Sequence, residues 1–394
     1  MENHLALSIG CRMHENNNVL GHDKICVVNE RFSGFDQIIG QELAKRVLRK
    51  AATTQNPAHA YLFVGPEGIG KLTTAIEFAK ALNCDNATDG SACNQCSMCH
   101  MIDRGNLPDV RIWSPEGKNT RIDLMREMRD LAMLKPMRAR WKVNIVEQGD
   151  TLNEEAANCI LKLIEEPPEF VVNILLYRNA AVVLPTIWSR CSVIRFVQVG
   201  TDELAQRLVS DYGLNHDEAN VLACYAQGCP GRAIRLVGNL QFKELRDAIA
   251  EIAAEASQRK RRAALKLAER LRTTSHSAIA GSQAGYAETD QTPEDEPNDE
   301  VARKTKSNLR DTTLQYLDML LVWYRDLLAV KILGEKAVVA NVDKYQELWS
   351  QAQRYSSIEA ILSAIEAIVQ TKSRILGNAN PQIATEALML ELTR

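Results

Sequence analysis

Four cysteines fall within sixteen residues, in the pattern Cys84-x8-Cys93-x2-Cys96-x2-Cys99. Each Cys-x-x-Cys step lets one tight turn aim two thiolates at one metal, and Cys84 closes a tetrahedron from upstream. Four thiolates leave no open coordination position, so the expected ion is a structural Zn2+. An iron–sulfur cluster and unmetallated thiols are the alternatives. No Cys-Pro follows the run and its fourth Cys lies upstream, which argues against the cluster. His100 is adjacent and not needed. The other six cysteines are scattered, as small buried hydrophobes of a reducing compartment would be.

A second constellation is Gly65-Pro66-Glu67-Gly68-Ile69-Gly70-Lys71. It follows the apolar run Tyr61 to Val64 and opens a helical pattern, the context a phosphate loop requires. Gly65, Gly68 and Gly70 let backbone N–H groups surround phosphates at a helix N-terminus, and Lys71 neutralises their charge. The next position should supply a hydroxyl to Mg2+, but it is Leu72. Thr73 lies about 100° further round the helix and does not simply replace it. The strand Val143 to Val146 ends in Glu147-Gln148, where a phosphate-loop ATPase carries an Asp for Mg2+ and often a Glu to polarise water. Glu147 keeps a carboxylate; Gln148 cannot act as a base. Efficient hydrolysis is therefore not expected, and for ATP or ADP two alternatives stay open: occupancy without turnover, or no binding.

The elements that must position these residues alternate. Strands are expected at Tyr61–Val64, Val110–Ile112, Trp141–Val146, Val171–Leu176 and Ser192–Val197. Helices are expected at Lys71–Leu82, Ile122–Leu134 and Glu154–Glu165, with a helical turn at Pro185–Trp188. Strand–helix alternation around a Gly loop predicts a parallel sheet with helices on both faces. From Thr201 the strands stop. Asp202–Tyr212, Asp217–Ala226 and Gly231–Val237 make a small helical unit, followed by one or two helices over Phe242–Arg272. Residues 273–300 hold seven acids and no Lys or Arg, and are expected to be a disordered insertion. Beyond it, Leu314, Leu317, Leu321, Tyr324 and Leu328 form a helical stripe, and Ile361, Ile365, Ile368 and Ile375 another. Trp323 and Trp349 on these helices are expected in the core.

The chain of 394 residues is long enough for two or three domains. Lys plus Arg is 47 against 50 Asp plus Glu, a formal net charge of -3, which excludes a protein that coats nucleic acid by bulk charge. No apolar run reaches the roughly 18 residues of a membrane span. No membrane contact is expected, and the expected location is cytoplasmic. Arg259-Lys260-Arg261-Arg262 reads as a solvated basic face more readily than as a DNA contact.

Longer motifs carry a resemblance. The run Asn153 to Pro168 (NEEAANCILKLIEEPP) closely resembles the helix after the second acidic motif of bacterial DNA polymerase III clamp-loader subunits. Leu184 to Cys191 looks like that family's Ser-Arg-Cys motif, and Gly228–Ala233 and Asn378–Pro381 look like its second-domain and collar signatures. The resemblance implies an AAA+ protein with a RecA-like core (32–200, zinc insert at 84–99), a helical lid with its connecting helix (201–272) and a helical collar (309–394). A leader (1–31) and the acidic insertion (273–308) complete the organisation. It also implies a hetero-pentamer with gamma or tau and delta subunits that places a sliding clamp on primed DNA in replication. Degraded nucleotide motifs beside an intact Ser-Arg-Cys resemble the delta-prime kind. In that kind Arg190 acts in trans as an arginine finger, and Arg232 occupies the lid arginine's position. An ATP-hydrolysing gamma/tau-type motor and a stand-alone zinc-containing DNA-binding protein are the competing readings.

Overall fold

Five strands form the sheet: β1 (Ala60–Val64), β2 (Val110–Trp113), β3 (Lys142–Val146), β4 (Val171–Tyr177) and β5 (Ser192–Arg195). The computed structural model describes residues 34–114, 121–258, 261–271 and 299–394. All pairs are parallel, in the order β2-β3-β4-β1-β5. This order is the one expected of a RecA-like AAA+ core. Parallel strands need crossovers, and the helices supplying them cover both faces, which is why the strands read as apolar runs. Side chains alternate between the two layers. Tyr61, Phe63, Val172, Ile174 and Ile194 pack beneath α1 (Glu42–Thr54) and α2 (Lys71–Asn83). Leu62, Val64, Val171, Leu175 and Tyr177 meet α4 (Arg121–Ala132), α5 (Glu154–Glu165) and α6 (Pro185–Trp188), with α3 (Ser97–Asp103) in the cysteine insert.

Two expected elements end two residues early, each for a local reason. The helix expected to Leu134 stops at Ala132 ahead of Pro136, leaving Leu134 58% exposed. The strand expected to Val197 stops at Arg195, because the Gln41 side chain takes over Val197: Nε2 donates to Val197 O (2.6 Å) and Oε1 accepts from its N–H (3.1 Å).

The helical remainder comprises α7 (Thr201–Tyr212), α8 (His216–Tyr225), α9 (Pro230–Leu236), α10 (Leu240–Ala256), α11 (264–271), α12 (Asp299–Leu333), α13 (Tyr345–Arg354), α14 (Ile358–Leu376) and α15 (Pro381–Leu392). Leu204 and Leu222 of the first pair, Ile249, Leu267 and the α12 residues Trp323 and Leu327 belong to one continuous apolar cluster. Tyr225 Oη donates to Asn341 Oδ1 (3.0 Å), and the buried Asp326 accepts from Asn341 N and Nδ2 (both 2.9 Å), tying α8 and α12 to the turn before α13.

α12 begins at Asp299, so residues 299–308, expected in the acidic insertion, are helical. Ala302, Arg303, Lys304 and Lys306 are good helix formers that extend the apolar-striped helix behind them. The leader 1–31, the rest of the insertion and Arg259-Lys260 lie outside the described residues. Trp323 is fully buried, but Trp349, expected in the core, stays 38% exposed and stacks on Tyr345 (6.4 Å between ring centres). No helix among the described residues is long and apolar enough to cross a membrane.

Candidate functional site

The phosphate loop sits between the C-terminal end of β1 and α2. Gly68 and Gly70 have φ of 76° and 100°, the left-handed region that glycine enters without a Cβ penalty. Lys71 turns back on its own loop: Nζ donates to Gly65 O (2.5 Å) and Pro66 O (2.8 Å). Burial and the Arg178 guanidinium hold its ammonium well below the usual lysine range, at about 8, against the opposing pull of Glu67 and Asp150. Arg178 closes over the loop through an ion pair with Glu67 (3.2 Å). Its backbone N–H donates to Asp150 (3.2 Å).

The helical unit comes down directly on this loop. Gly231 N, at the start of α9, donates to Gly68 O (2.7 Å), and a Cβ on Gly68 would meet Arg232 Cγ at 3.0 Å. The structure thus brings Gly65, Gly68, Gly70, Lys71 and Arg232 together. Glu147 is directed elsewhere and accepts the Ser114 hydroxyl. Thr73 is half-buried and makes no side-chain bond among the described residues, while Leu72 packs against the core.

Arg190 lies at the other end of the sheet. Ser192 pairs with Tyr61 and Arg195 with Val64, so β5 runs parallel to β1 and the turn before it, carrying Arg190, sits at the strands' N-terminal side. The phosphate loop leaves β1 at the opposite end, about 13 Å away at the rise of a four-residue strand. Pro185 opens α6, its fixed φ suiting the first helical position. Arg190 is held at two of its three guanidinium nitrogens. Nε pairs with Glu165 Oε1 (2.9 Å), and Nη1 donates to Thr186 O (3.1 Å) and Ser189 Oγ (3.3 Å). Burial pushes the Cys191 thiol up to about 12, so it fills space beneath the turn as a neutral group.

The four cysteine sulfurs converge, all within 4.8 Å of one another, with Cys84 Sγ 3.4 Å from Cys93 and 3.8 Å from Cys96. Tetrahedral thiolates around a zinc-sized ion stand about 3.8 Å apart. Backbone N–H groups of Cys93 and Cys96 point at the sulfurs of Cys84 and Cys93 (both 3.3 Å), as they do to stabilise bound thiolates. The donor set fits a closed structural metal site. His100 is exposed and takes no part in the cluster.

Sequence reasoning missed what braces this insert. Lys80, 2% exposed on α2, reaches Glu77 (2.5 Å), Asp103 on α3 (2.5 Å) and Asn94 of the cysteine loop (3.2 Å). The signal was present as a Lys and a Glu three residues apart among apolar neighbours. It also missed Asp109. Its carboxylate accepts the N–H groups of Met137, Arg138 and Ala139 (2.8–3.0 Å); burial pushes this carboxyl up, but these three bonds hold it below its usual value.

A family model described as "DNA polymerase III, delta subunit" matches residues 40–200. The DNA polymerase III subunit delta' of Bacillus subtilis is 26% identical over 359 residues, covering 89% of this chain and 96% of that protein. The subunit tau of the same organism is 35% identical over 174 residues, 44% of this chain and 31% of tau. The chain therefore spans about a third of that tau relative but nearly the whole of delta'. Among solved structures, a gamma subunit-related protein of Thermotoga maritima covers 88% of this chain and 99% of its own, at 19% identity and a TM-score of 0.38. Similarity along almost the full length of one subunit, and over only about a third of the other, makes the chain a homologue of the DNA polymerase III delta' subunit, related to gamma and tau.

Proposed function

We propose that this chain is a delta'-like subunit of a DNA polymerase III clamp loader, which does not turn over ATP itself and supplies Arg190 to ATP held by the adjoining gamma- or tau-type subunit. Its partners are the gamma/tau and delta subunits of a hetero-pentamer and, through them, the sliding clamp and primed DNA. The observation that carries this reading is the position of Arg190, a sheet's length from its own phosphate loop yet at the surface. A guanidinium so placed does not serve its own loop; a triphosphate it meets belongs to another chain, where it would offset the charge developing on the transferred phosphoryl group. The home loop supports the same reading: Lys71 binds loop carbonyls, Leu72 brings no hydroxyl for Mg2+, and Glu147 faces Ser114. Arg232 then serves the lid–loop contact rather than nucleotide sensing.

The four cysteines hold Zn2+ in this reading. The ion acts as a crosslink that fixes the insert, and Cys84 joins it to the end of α2. The protein acts in the cytoplasm, where such thiolates stay reduced.

The test is the purified chain with Mg-ATP, alone and mixed with gamma and delta subunits. The expected result is no turnover alone and incorporation into a complex with both. Vigorous hydrolysis by the isolated chain would overturn the reading.

A further inference from the structure

Arg190 is held at two of its three guanidinium nitrogens. Nε is taken by Glu165 and Nη1 by Thr186 O and Ser189 Oγ, while Nη2 has no bond among the described residues. The arginine side chain is 41% exposed and that of Glu165 46%. Glu165 is the last residue of α5, where the helix's own partial negative charge disfavours a carboxylate, so its place does nothing for that helix. As a half-exposed surface pair it adds little to folding. Its effect is on orientation: with Nη1 bonded to the turn and Nε against the carboxylate, the planar guanidinium is restrained in its swing over the surface.

We propose that Glu165 is the positioning residue for Arg190, its carboxylate pairing with Nε while the turn holds Nη1, so that Nη2 is left for the neighbouring subunit's phosphate. The inference rests on the arginine-finger reading of Arg190 given above. It makes Glu165 distinct from Glu166, the next residue, which is also exposed and forms no ion pair among the described residues.

The experiment uses an assembled loader in which only the motor bordering this chain can hydrolyse ATP, with kcat and KM measured in the presence of clamp and primed DNA. Glu165→Gln keeps the shape and removes the charge. The expected result is a fall in kcat of about tenfold with KM unchanged. Glu165→Asp should fall between Gln and wild type, Glu166→Gln should match wild type, and Glu165→Gln should add nothing in an Arg190→Ala background. Native mass measurement of each complex establishes equal assembly. If Glu165→Gln turns over at or above the wild-type rate while Arg190→Ala is slow, the positioning role is wrong and the finger stands. If Arg190→Ala itself is at the wild-type rate, the reading beneath it fails.

Discussion

Lys71 occupies the position that would meet a phosphate, yet its ammonium is satisfied by the carbonyls of Gly65 and Pro66. Burial and Arg178 depress it to about 8, so between about 8 and the ordinary lysine value the unfolded chain binds more protons than the folded one. Stability contributed at this site therefore rises with pH across that window. Following the Lys71 side chain by NMR should show titration near 8, two units below surface lysines; a titration above 10 would mean that the loop is open around it. The residue types of the loop and of the cysteine cluster were legible in the sequence because their spacing alone defines the geometry. Glu165 and Arg178 were not, because an ion pair between distant segments leaves no periodic trace. Lys71's turn toward its own loop was likewise invisible, since a motif records which groups are available and not whom they bond.

At the scale of elements, the insert and α2 form one unit. Cys84 ends α2, and Lys80 on the same helix ties down Asn94 and Asp103. If the four cysteines hold a metal as proposed, removing it should release the cysteine loop and α3 while the sheet remains folded. Hydrogen exchange with and without a chelator should then show protection lost at Ser97–Asp103 and kept in β1 and β4. Global unfolding, or no change anywhere, would contradict this. Most helices and strands were readable from period and caps. The motif residues do this locally: Asn153 accepts from Ala156 N (2.9 Å) to start α5, and Asn380 with Pro381 starts α15. What pattern could not show is the buried polar rung through the sheet, where Asn144 bonds Trp113 Nε1 and Asn173 (both 3.1 Å) inside strands that otherwise read as apolar. A buried Asn is affordable only with such partners, and those come from neighbouring strands.

At the scale of the molecule, the core and the helical unit meet through backbone. Gly231 bonds Gly68, and Val199 N donates to Gly228 O (2.9 Å). Gly228 has φ of 70°, and a Cβ there would lie 2.4 Å from Val199 O. Gly228→Ala should cost more than about 1 kcal/mol in thermal unfolding and shift the helical unit on the core. An unchanged melting temperature would show the joint to be loose. A joint fixed by backbone bonds suits the loader role proposed above. In the proposed function the chain completes another subunit's active site from the far end of its own sheet. The most direct measurement is ATP turnover by the bordering motor in an assembled complex carrying Arg190→Ala or Arg190→Lys. Both should slow turnover without loss of assembly, Lys included, because a point charge cannot reproduce the guanidinium fork. Wild-type turnover in both variants would rule out Arg190 as a finger in trans.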